Sequence, residues 1–62
     1  MTEKESIESA YSEMLKQLYT VLVERLAAAK GNKAEEDSAE ASFKEGVSLA
    51  RDARSRALAI FT

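Results

Sequence analysis

Sixty-two residues, 28 of them apolar and 20 charged, hold one domain at most. The chain has no cysteine, histidine, proline or tryptophan, which excludes a disulfide framework, a thiolate metal site and any mechanism built on an imidazole. Eleven acids against nine bases leave a net charge of −2, the wrong balance for a general binder of polyanions.

Thr2 and Glu5 open the chain with capping-box spacing: the hydroxyl faces one free amide and the carboxylate returns to the threonine amide. Apolar residues then recur at Ile7, Tyr11, Met14, Leu18 and Val21, a 4-3-4-3 rhythm that defines one helix face. Lys30 followed by Gly31 marks a stop, because glycine accepts positive φ without penalty. Asn32 ahead of Lys33, Ala34 and Glu35 repeats the cap. A second rhythm runs through Ala39, Phe43, Gly46, Ala50, Ala53, Ala57 and Ile60. The chain therefore reads as all-α: one helical hairpin over residues 1–62, with a first helix over about 3–30, a bend at 31–32 and a second helix over about 33–60. Acids at both helix starts (Glu3, Glu5, Glu8; Glu35, Glu36, Asp37) and bases towards the ends (Lys30; Arg51, Arg54, Arg56) suit the helix dipoles. Glu40–Lys44 and Asp52–Arg56 are i,i+4 pairs in the better orientation.

So short a bend makes the helices antiparallel. Facing residues then have numbers adding to about 64, so Leu18 meets Gly46, Met14 meets Ala50, Tyr11 meets Ala53, Ile7 meets Ala57 and Val21 meets Phe43. Large side chains on the first helix oppose small ones on the second, an arrangement that lets the two backbones approach. Gly46, which costs about 1 kcal/mol relative to alanine in mid-helix, is explained by that approach. Arg25 lies on the same stripe beside Ala39, where Glu36 or Glu40 is the expected ion-pair partner and the stem snorkels.

Apolar side chains remain that two helices do not cover: Leu15, Tyr19, Leu22, Val23 and Leu26 on the first, Val47, Leu58 and Phe61 on the second. These are the expected oligomer interface, since this chain has no third element. A homodimer closing into an antiparallel four-helix bundle is the simplest solution, because two-fold symmetry makes one patch complementary to itself. A heteromeric protein partner supplying the missing helices is the competitor.

Chemistry has few candidates. Glu13, Glu24, Glu45 and Asp52 are scattered over outer faces, and di-metal bundles need histidine as well as inward carboxylates. None of the seven serines has a histidine or lysine base at a recognisable spacing, and Gly31 and Gly46 stand apart from any phosphate loop. No enzyme activity, metal or cofactor is expected. Arg51, Arg54 and Arg56 are the one basic cluster, a candidate anion contact. Against that reading, Asp52 lies within the cluster and Glu3, Glu5 and Glu8 approach it across the hairpin.

In size and two-helix pattern the chain resembles the Rop family, small plasmid regulators that dimerise into a four-helix bundle and bind paired RNA loops. The likeness covers architecture over the whole chain, shares no motif residue and brings no site with it. The expected function is a small non-enzymatic interaction protein: an adaptor, regulator or accessory subunit. The alternatives are an RNA-binding regulator of Rop-like architecture and an obligate subunit completing a partner's helical bundle. The longest uncharged run, Gln17 to Val23, is far short of the roughly 20 residues a membrane span needs. With no basic stretch followed by an apolar one in residues 1–20, neither a leader nor a membrane association is expected, and the setting is cytoplasmic.

Overall fold

The fold starts at Thr2. In the computed structural model, which describes residues 1–61, the Glu5 amide donates to the Thr2 hydroxyl at 3.1 Å and the Thr2 amide donates to Glu5 Oε1 at 3.0 Å. This closed box opens α1, Glu3–Ala29. The Thr2 amide, and after it the Thr2 hydroxyl as a donor, hold the Glu5 carboxyl below its usual range.

α1 ends at Ala29, one residue before the Lys30 end point expected from the sequence. Lys30 and Gly31 take φ values of 50° and 83°, and these two left-handed residues reverse the chain. The Asn32 amide donates back to the Ala29 carbonyl at 2.9 Å. Asn32 Oδ1 accepts from the Glu35 amide at 3.1 Å and caps α2, Lys33–Ile60. Only half of the second box forms, because the Asn32 amide already donates to Ala29 and leaves Glu35 nothing to return to.

The helices pack antiparallel in the expected register. Leu18 fills the space beside Gly46, Glu8 binds Arg54 and Arg25 binds Ser38, pairs whose residue numbers add to between 62 and 64. The rotation of each helix differs from expectation. The side chains turned inward on α1 are Ile7, Tyr11, Leu15, Leu18, Leu22, Leu26 and Ala29; on α2 they include Ala39, Phe43, Gly46, Val47, Ala50, Ala57 and Leu58. These positions repeat every eleven residues: Ile7, Leu18 and Ala29; Leu15 and Leu26; Ala39 and Ala50; Gly46 and Ala57; Val47 and Leu58.

An eleven-residue spacing is 3.67 residues per turn, close to the pitch of a straight helix, whereas a seven-residue line drifts about 20° per repeat. The expected stripes contained seven-residue lines, Ile7–Met14–Val21 and Gly46–Ala53–Ile60, which start in the seam at Ile7 and Gly46 and turn out of it at their later members. Met14, Val21 and Ala53, expected inside it, are exposed. Leu15, Leu22, Leu26, Val47 and Leu58, expected at an oligomer interface, are already half-buried within the single hairpin.

The resulting body measures 45 × 18 × 6 Å: two helices wide and one thick. Its radius of gyration of 14.5 Å exceeds the roughly 11 Å of a globular chain of this length. It exposes 4820 Å², against about 4,000 Å² for a folded monomer of its mass. Among the described residues only Ala29 and Ala39, both beside the bend, are fully buried. No large side chain reaches that state.

Candidate interaction surface

A single layer has two broad faces, and side-chain chemistry separates them. The seam carries one strong polar contact. Arg54 grips Glu8 with two parallel bonds, Nε to Oε1 and Nη2 to Oε2, the latter at 2.7 Å. The guanidinium also stands over the Tyr11 ring, 5.2 Å from its centroid, a cation–π contact. The hydrogen bonds from Arg54 hold the Glu8 carboxyl below the usual carboxylate range, with the Arg54 and Lys4 charges adding and partial desolvation opposing. The same bonds raise Arg54 further above its ordinary value. Two-bonded arginine–carboxylate geometry fixes direction as well as distance, so the pair locks the open end of the hairpin in register.

Arg25 is also half-buried, but its Nη2 donates to Ser38 Oγ at 3.2 Å. Among the described residues neither Glu36 nor Glu40 forms the ion pair expected with it. The other ion pairs stay within one helix: Asp52–Arg56 at 2.9 Å, Lys33–Asp37 at 2.8 Å and Glu13–Lys16 at 3.8 Å. Glu40 and Lys44 do not come within ion-pair distance. Of the three arginines read as a candidate anion contact, Arg54 is thus held by Glu8 and Arg56 by Asp52. Arg51 alone lies exposed without an acidic partner among the described residues.

Clefts lie along one side of the seam. One, about 270 Å³, is lined by Ile7, Ala10 and Met14 from α1 and by Ala50, Ala53 and Ala57 from α2, with Tyr11 and Arg54. Its lining is almost wholly apolar. Another, about 100 Å³, lies nearer the bend between Leu18, Val21, Ser42 and Phe43, and a third, about 280 Å³, lies at the bend between Arg25, Ala28, Ala29, Glu35 and Ser38. Met14 and Val21, seven residues apart, share this side of α1, and Leu49 and Ile60 flank Ala53 on the same side of α2. Leu49 is 70% and Ile60 75% exposed. On the opposite face Tyr19 and Val23 are exposed, and α2 places Glu40, Lys44 and Arg51 beside Val47. Phe61, at the end of α2, is exposed too.

The seven-residue line that carries Met14 and Val21 off the seam was visible in the sequence. The competing eleven-residue spacing of the leucines was the signal that shows which set turns inward. Among the described residues no three side chains of histidine, cysteine, aspartate or glutamate gather as metal ligands, and no helix is long and apolar enough to cross a membrane. No family model, curated protein or solved structure matches the chain.

Proposed function

We propose that this chain is a small, non-enzymatic cytoplasmic interaction protein, an adaptor, regulator or accessory subunit, that works as a homodimer of hairpins in a four-helix bundle. One observation carries the reading: a hairpin one helix thick exposes Met14, Val21, Leu49 and Ile60 and fully buries nothing larger than alanine among its described residues. Stable domains use at least two packed layers around a core, and a chain this short without disulfide or metal ordinarily gains its support from association. A second copy supplies the second layer without any further gene product.

The anionic-partner alternative has less behind it, since Glu8 and Asp52 hold two of the three arginines. Sedimentation equilibrium with circular dichroism over a wide concentration range tests the reading. The expected result is a helical species with twice the chain mass that dissociates and loses helix together on dilution. A chain that stays monomeric and folded at every concentration overturns it. A monomer unfolded at every concentration also overturns it, and favours an obligate subunit of a partner's bundle.

A further inference from the structure

We infer that the second copy of this chain docks on the face carrying Met14, Val21, Leu49 and Ala53, and not on the opposite face carrying Tyr19 and Val23. The assignment rests on the homodimer reading and adds which of the two faces is covered.

Charge separates the faces first. Along the Met14 face, α1 presents Ile7, Ala10, Met14, Gln17 and Val21, and α2 presents Gly46, Leu49, Ala53 and Ile60, none of them charged. Charges stand around its rim: Glu3 and Glu24 beside the two ends of the α1 line, Glu45 and Arg56 along the α2 edge, the latter paired with Asp52, and Arg25 with Glu35 at the bend. Arg54, bound to Glu8, lines its cleft. The Tyr19 face instead sets Glu40, Lys44 and Arg51 along α2. Covering those groups strips water from them, which only close pairing repays. Covering the centre of the Met14 face removes mainly apolar surface, and the one charged group in its cleft, Arg54, is already paired with Glu8.

Shape points the same way. On this face α1 exposes the long side chains of Met14 and Val21, while the exposed Ala53 of α2 stands beside an alanine-lined cleft. A two-fold axis that sets α1 of one copy on α2 of the other puts bulk against that space in both directions, as a self-complementary interface requires. The 270 Å³ cleft between the alanines is the space such side chains enter.

The area is sufficient. A face of 45 by 18 Å offers roughly 800 Å² of footprint, the amount each partner contributes to a standard stable interface.

The test uses the absence of native cysteine. Leu49→Cys and Tyr19→Cys, each in the full chain, are alkylated with a maleimide above and below the dissociation concentration found for the wild type by sedimentation. Leu49→Cys is expected to react about tenfold or more slowly in the dimer and to lose that protection on dilution, while Tyr19→Cys reacts alike at both concentrations. In parallel, Leu49→Glu weakens association about 100-fold or more, because a buried unpaired carboxylate is strongly disfavoured, and Tyr19→Glu leaves it within about threefold. Protection at Tyr19→Cys without protection at Leu49→Cys overturns the face assignment while the homodimer stands. A wild-type chain that never dimerises removes the homodimer reading itself, before any variant is made.

Discussion

Leu18 Cδ2 lies 2.6 Å from the place a β-carbon on Gly46 would occupy, with Cδ1 at 3.4 Å. Leu18 therefore fills the volume that any other residue at 46 needs, and the two helices touch through that exchange. Gly46→Ala gains about 1 kcal/mol of helix propensity but must push a leucine methyl towards the small cleft that Leu18 lines, so the net change stays within about 1 kcal/mol. In a Leu18→Ala background the obstruction is gone, and Gly46→Ala stabilises by the full amount, about 1 kcal/mol. Gly46→Leu overpacks the seam and costs about 1–3 kcal/mol despite its better propensity. Urea denaturation of the double-mutant cycle checks this, and an equal effect of Gly46→Ala in both backgrounds refutes the coupling.

Local chemistry made this much visible in the sequence. Thr2 and Glu5, Asn32 and the lone mid-helix glycine each demand a particular neighbour, and the bend is too short for anything but an antiparallel return. The rotation of the helices was harder to read, because two rhythms share Ile7, Tyr11 and Leu18 and differ by one residue between and beyond them. One continues through Met14 and Val21, the other through Leu15 and Leu22, and a fraction of a residue per turn decides between them. The partner of Arg25 was illegible for a different reason. Ser38, Glu36 and Glu40 all lie within a turn of Ala39, and side-chain geometry selects the hydroxyl. The approach of the first-helix acids to the arginine cluster was foreseeable; that Arg54 also lies over Tyr11 depends on the exact rotation.

The Glu8–Arg54 pair makes stability sensitive to acid. Glu8 has a folded-state pKa below its ordinary value of about 4.5, so its contribution is present above that value and is lost as pH falls through the lower folded one. Glu5 behaves the same way through the capping box. The melting temperature is therefore expected to be steady near neutrality and to fall as pH drops below about 4.5. Glu8→Gln lowers the neutral-pH plateau and flattens the acid slope, leaving the share due to Glu5. Thermal melts of both proteins from neutral pH into the acid range measure it, and an unchanged slope in Glu8→Gln would show that the pair does not couple to folding.

The two helix caps differ in what their loss releases. Thr2 starts a free chain end, where α1 can fray by a turn and recover part of the loss. Asn32 starts α2 inside the reversal, between the Ala29 carbonyl and the Glu35 amide, where fraying breaks the hairpin. Thr2→Ala is expected to cost about 0.5 kcal/mol and Asn32→Ala about 1 kcal/mol or more, with Asn32→Gly within a few tenths of wild type. Chemical denaturation ranks the three, and a larger loss at Thr2 contradicts the order.

Lys30 and Gly31 are consecutive left-handed residues, yet only one of them is glycine. A side-chain-bearing residue in that conformation costs about 1–2 kcal/mol, while glycine adds about 0.5–1 kcal/mol of unfolded-state entropy. Lys30→Gly is therefore expected to stabilise by about 0.5–1 kcal/mol, the balance of the two. Gly31→Ala acts in the opposite direction, with a loss of about 0.5–1 kcal/mol, the same balance reversed. No atom lies within 4 Å of a β-carbon built there, so backbone conformation alone is responsible. Because neither substitution touches the seam, both effects appear unchanged in Gly46→Ala and add to it. Thermal melts of the single and combined variants decide the matter: if Lys30→Gly destabilises, the lysine side chain contributes more at the bend than its backbone conformation costs.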